Sequence, residues 1–142
     1  MVLTGTVAVA AGGERLDGLG TRDTVFDGEA TAVYLPAGTP YALTAERDAE
    51  VAICTAPGSG AGAVRVVPPG ALEVRGTGTN TRHVRNILFD TDDVAENLLV
   101  VEVVTPGGHW SSYPPHKHDR DALPHETLLE ETYYHRLSPP QG

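Results

Sequence analysis

Short apolar runs divided by turn residues dominate this chain, and they predict strands. The runs fall at residues 3–10, 32–35, 41–44, 50–54, 63–67, 72–75, 82–88 and 98–105. Val64 with Val66, and Val101 with Val103, set branched apolar side chains two residues apart, the repeat of a strand with one buried face. Between the runs stand Ala11-Gly12-Gly13, Asp27-Gly28, Pro36-Ala37-Gly38, Pro57-Gly58-Ser59-Gly60 and Pro68-Pro69-Gly70. Their glycines and prolines favour tight turns and interrupt helices. The pattern predicts an all-β fold, an antiparallel sandwich or barrel. Residues 92–98 alone carry a weak helical signal.

Composition narrows the picture. The 142 residues suit one domain-sized core, and 16 glycines with 11 prolines against 20% charged residues fit many short strands. No apolar stretch reaches the length of a membrane span, so no membrane partner is expected. The net charge of −9, without a basic cluster, excludes a general nucleic-acid binder. An acidic surface still admits an anionic small molecule where local Arg, Lys or metal charge lines the pocket. The N-terminal stretch lacks a basic region before its apolar run, so a cytoplasmic location is expected. Cys54, the one cysteine, reads as a buried structural thiol within 50–54.

Candidate chemistry concentrates near the C-terminal end. In Ser111-Ser112-Tyr113-Pro114-Pro115-His116-Lys117-His118-Asp119, the prolines disfavour helix and hold the approach extended. His116 and His118 then project from one face and can reach a single metal ion. The pair Glu130-Glu131 downstream adds a carboxylate, completing a nitrogen-and-oxygen donor set for a divalent first-row metal. Lys117, between two inward histidines, turns outward. Trp110 and Tyr113 read as core or edge packing, and one of Tyr133 and Tyr134 as inward. His109 and His125 read as exposed loop histidines. Arg82 and Arg85 read as a solvated face of an edge strand.

Three stretches together carry a family resemblance. They are residues 100–108 (Val100-Val101-Glu102-Val103-Val104-Thr105-Pro106-Gly107-Gly108), the run from Trp110 through Asp119, and Leu129-Glu130-Glu131-Thr132-Tyr133-Tyr134-His135-Arg136. This pattern closely resembles the 5-deoxy-glucuronate isomerases of bacterial myo-inositol catabolism, members of the cupin superfamily. Tyr34-Leu35-Pro36-Ala37-Gly38-Thr39 and residues 82–88 look collinear with the same family.

The resemblance implies parts of two cupin halves. Residues 1–56 would be the C-terminal part of a metal-free first cupin, 57–79 a linker, and 80–142 the N-terminal part of a metal-binding second cupin. It implies a parent chain about twice this length, of which the sequence is an internal piece, with a further ligand lying beyond Gly142. Tyr41 stands where the first cupin would carry a ligand histidine. His116, His118 and Glu131 match the metal ligands (Zn, Mn, Fe or a similar divalent ion), with Glu131 opening an alternating strand over 131–134 and Glu130 the runner-up carboxylate. The gap from His118 to Glu131 implies an inserted excursion. The activity implied is aldose–ketose isomerisation of a sugar acid, 5-deoxy-glucuronate to 2-deoxy-5-keto-gluconate, through a metal-stabilised enediolate. Glu130 and His135 are candidate bases, and Arg136 and Tyr134 candidate substrate contacts. A homo-oligomer is left open. Two competing readings are a metal-dependent oxygenase and a truncated β-domain that binds metal or sugar acid without turnover.

Overall fold

The computed structural model describes residues 1–89, 93–112 and 118–139. Among the described residues ten strands run in order: β1 (Val2–Thr4), β2 (Val7–Ala11), β3 (Glu14–Leu19), β4 (Ala32–Tyr34), β5 (Tyr41–Ala45), β6 (Glu50–Val51), β7 (Arg65–Val67), β8 (Leu72–Arg75), β9 (Arg82–Leu88) and β10 (Val100–Val104). Among the described residues the only helical segment is a 3-10 turn at Gly78–Asn80. The weak helical signal at 92–98 forms no helix over 93–98, while 90–92 lie outside the described residues. Every strand pairing is antiparallel, within four small sheets of order β1-β6, β3-β2-β5, β4-β7 and β10-β9-β8. The fold is the all-β, cupin-type antiparallel class expected.

Local chemistry explains where the apolar runs break. Residues 3–10, expected as one strand, are divided at Gly5, whose φ is +79°. A Cβ there would sit 1.9 Å from the Asp48 carbonyl oxygen, so only glycine lets the two segments pack so closely. β2 turns into β3 through Gly12-Gly13, with φ of +59° and +83°, the double positive φ of a tight hairpin. The run at 50–54 keeps only Glu50–Val51 as strand, and Cys54 is exposed. The expected burial of that thiol is thus corrected: the backbone departs after Ala52, which still exchanges hydrogen bonds with Met1, and the Cys54 side chain is left exposed.

Two apolar clusters hold the sheets together. Val2, Val7, Val9, Ala11 and Leu19 form the first, beneath the β3-β2-β5 sheet. Ala30, Ala32, Val67, Ile87 and Leu88 form the second, with Val94, Ala95, Leu98 and Val100 packed against it. The second cluster draws on residues either side of 57–79. Within that stretch β7 pairs with β4, and β8 pairs with β9.

A buried ion pair spans the same divide. Glu102 of β10 accepts two hydrogen bonds from the Arg22 guanidinium, at 3.0 and 2.6 Å, and Arg22 Nε donates to the Leu3 carbonyl at 2.7 Å. The Arg22 side chain is 3% exposed. Desolvating a charge this far is tolerated only where its donors are answered, as they are here.

Candidate functional site

β10 delivers the chain to the histidine motif, and the approach is fixed by the β8–β9 hairpin. After Val104 a turn closes with His109 N–H donating to Pro106 O at 3.0 Å. Trp110 N–H then donates to Thr79 O at 2.8 Å, and His109 Nδ1 lies 2.9 Å from Thr81 O. His109 is therefore a half-buried clamp and not the exposed loop histidine expected; His125 is exposed. Trp110, expected to pack, is 59% exposed, because its backbone and not its ring makes the contact. Tyr113, His116 and Lys117 lie outside the described residues.

His118 is half-buried, with Nδ1 3.0 Å from Thr127 O. A carbonyl can only accept, so Nδ1 carries the proton of this hydrogen bond. Leu129 N–H donates to His118 O at 3.1 Å, and Ala122 bridges Glu126. Glu126 also accepts from Asp119 N–H at 3.0 Å and from Arg120 Nε at 2.9 Å. The excursion between His118 and Glu131 is thus a closed loop whose two ends meet beside the histidine.

Residues 127–137, expected to contain a strand at 131–134, form no paired strand. The segment is exposed from Glu130 onward, and its side chains fall into two alternating sets of contacts. On one side Tyr133 stacks on His135, with ring centroids 6.0 Å apart and planes 7° from parallel. Burial, then the charge and hydrogen bond of Glu131, push the Tyr133 phenol up. Glu131, Tyr133 and His135 therefore share a face. On the other side the Tyr134 hydroxyl and the Arg136 guanidinium both donate to the Glu50 carboxylate of β6. The Tyr134 hydrogen bond first, and Arg136 second, hold the Glu50 carboxyl below its ordinary value. Both tyrosines are exposed, at 66% and 64%, where one was expected to pack inward; without a second layer above the segment neither face is covered. Glu130 is also exposed.

The structure brings Glu131 and His135 onto one face, and commits Tyr134 and Arg136 to Glu50. Sequence reasoning missed Glu50 as their anchor, and an acidic residue 84 positions from its partner leaves no local signal. Arg82 and Arg85 were expected on an edge strand, yet β9 is the middle strand of its sheet and both are half-buried. No helix among the described residues is long and apolar enough to cross a membrane.

The KduI/IolB family matches residues 1–142, the whole chain. The chain belongs to the KduI/IolB family. A 5-deoxy-glucuronate isomerase of Geobacillus kaustophilus is 48% identical over 145 residues, covering 100% of this chain and 52% of the relative. The 5-deoxy-glucuronate isomerase of Bacillus subtilis strain 168 is 44% identical, over 100% of this chain and 54% of its own length. The crystal structure of an IolB-like protein from Salmonella typhimurium LT2 superposes with a TM-score of 0.93 at 47% identity, covering 99% of this chain and 55% of that one. This KduI/IolB chain spans about half the length of the curated relatives it matches.

Isomerases of the KduI/IolB family are cupin-like, and cupins commonly bind a metal. In this chain the setting of His118 fits such an ion: the Thr127 carbonyl holds the ring through Nδ1, as a carbonyl does for a histidine that would bind metal through its other nitrogen. Among the described residues, no three His, Cys, Asp or Glu converge on a common metal position, and His116 is not among them.

Proposed function

We propose that this KduI/IolB sequence serves an intramolecular oxidoreductase, an aldose–ketose isomerase that converts 5-deoxy-glucuronate to 2-deoxy-5-keto-gluconate in inositol catabolism. The observation that carries the reading is 48% identity, across the whole chain, to a relative bearing the isomerase name. His116, His118 and Glu131 are proposed to hold a divalent ion such as Zn, Mn or Fe. When bound, that ion supplies positive charge against the negative charge that develops on the substrate oxygens.

The chain's own residues supply the proton handling and the positioning. Isomerisation takes a proton from the carbon beside the aldehyde and returns one to the former aldehyde carbon. The face shared by Glu131, Tyr133 and His135 supports His135 over Glu130 as the base, because adjacent extended residues point apart. Tyr134 and Arg136 act through Glu50: by anchoring the opposite face of the segment they keep Glu131 and His135 oriented. A cytoplasmic location and a sugar-acid partner belong to the same reading.

The test is turnover of 5-deoxy-glucuronate by the purified protein, with metal content measured alongside. A His116→Ala, His118→Ala double variant is expected to lose both the ion and turnover. Turnover that survives the double substitution refutes the assignment.

A further inference from the structure

The β10-β9-β8 sheet has two faces of different character. Strand register places Arg82, Val84 and Asn86 of β9 on one face with Glu73 and Arg75 of β8 and Val101 and Val103 of β10. His83, Arg85 and Ile87 point the other way, with Glu102, and that face packs toward Arg22. A groove on it, of about 200 Å³ beside Phe26, Leu72 and Val104, is below the 300 Å³ or so that a small-molecule site needs.

On the first face Arg75 and Arg82 are direct cross-strand partners. Like charges set opposite one another in an antiparallel pair, with Cβ atoms about 5 Å apart, destabilise the sheet. Arg75 is answered: Glu73 lies 2.8 Å from its Nη2 and also accepts from Asn86 at 3.0 Å. Arg82 is not. Its hydrogen bond goes to the Asn80 carbonyl at 3.1 Å, and among the described residues it has no carboxylate partner. Other half-buried or buried arginines are treated differently, Arg22 with Glu102 and Arg85 with Glu29. The face therefore holds two guanidiniums against one carboxylate, beside the exposed side chains of Val101 and Val103. It also lies next to the route into the histidine motif, since Trp110 and His109 bind the carbonyls of Thr79 and Thr81, just before Arg82.

We propose that Arg82, with Arg75 beside it, forms a carboxylate-binding subsite for a small hydroxy acid. Arg82 provides the planar fork that fits a carboxylate, Arg75 the second positive charge, and the valines the surface for the carbon chain. The choice of a sugar acid as ligand rests on the isomerase reading; the carboxylate subsite rests on the sheet alone. Arg136, expected to meet the substrate carboxylate, donates to Glu50 in this structure.

The test is calorimetric titration of the purified protein with D-glucuronate, and with D-glucose as the neutral counterpart. Glucuronate is expected to bind more tightly than glucose. Arg82→Gln should weaken glucuronate binding by at least about tenfold, Arg82→Lys should retain part of it, and Arg15→Gln on β3 should leave it unchanged. Thermal melts separate binding from folding: Arg82→Gln should melt no lower than the parent, because it relieves a like-charge contact. If Arg82→Gln nevertheless fails to fold, Arg82→Lys carries the comparison. Glucuronate binding equal to that of glucose, or unaltered in Arg82→Gln, overturns the subsite. Isomerase turnover with an unchanged KM in Arg82→Gln also overturns it while leaving the isomerase standing. Arg82-dependent glucuronate binding in a protein without turnover supports the subsite and removes the isomerase.

Discussion

Replacing Arg22 by Met tests whether the buried ion pair with Glu102 ties β10 to the β1 region. Met keeps most of the stem volume but removes the charge and every donor. Glu102 would then keep a carboxylate only 16% exposed with its two guanidinium bonds gone, and the Leu3 carbonyl would lose its 2.7 Å donor. Breaking a buried pair from one side costs about 3–5 kcal/mol, and the partial exposure of Glu102 points to the lower end. A loss of about 3 kcal/mol corresponds to a drop in Tm of roughly 10 °C for a domain of this size. The double variant Arg22→Met, Glu102→Leu removes both charges and should lie within about 1 kcal/mol of the parent. Urea unfolding followed by circular dichroism, run as a double-mutant cycle, measures both quantities. A single variant that loses less than about 1 kcal/mol, or a double variant that loses the sum of both singles, refutes the argument.

Three further outcomes follow from other parts of the fold. Ile87→Ala, at a side chain 2% exposed in the second cluster, should cost about 2–5 kcal/mol in denaturant unfolding. Gly5→Ala should destabilise by more than about 2 kcal/mol, because the new methyl meets the Asp48 carbonyl at 1.9 Å; a parent-like Tm would contradict that geometry. Glu50→Gln should leave global Tm nearly unchanged but speed proteolysis within residues 127–137, as Tyr134 and Arg136 lose their anchor. The same anchor has a pH signature: because the Glu50 carboxyl is lowered in the fold, its contribution is complete above the ordinary value of 4.5 and fades as pH falls through the lowered one. Proteolysis that is flat across that range would exclude it.

What the sequence disclosed depended on how local the cause was. β8 and β9 were legible to the residue, because a Gly-rich turn separates two runs that pair with each other. β3 was missed: in Glu-Arg-Leu-Asp-Gly-Leu the apolar residues are three apart, since an irregularity in its pairing with β2 breaks the two-residue repeat. The 131–134 strand was over-read. Its alternation is real, but alternation specifies faces and not a partner, and the segment is held by side chains on Glu50 and not by a backbone ladder. The histidine motif named the family, whereas the cross-strand Arg75–Arg82 pair became visible only once register was known.

The hairpin from β8 to β9 also bears on the order in which the chain folds. Only residues 76–81 must be gathered to close it, whereas β1 meets β6 after the whole of 5–49 has been drawn in. Loop-closure entropy makes the longer connection about 2 kcal/mol harder to form before any contact rewards it. Pulse-labelled hydrogen exchange is therefore expected to protect amides of β8, β9 and β10 ahead of those in β1 and β6. Simultaneous protection would show that the two sheets form as one cooperative event. On the sequential path, the sheet that flanks the histidine motif acts as the seed on which the remainder of the chain condenses.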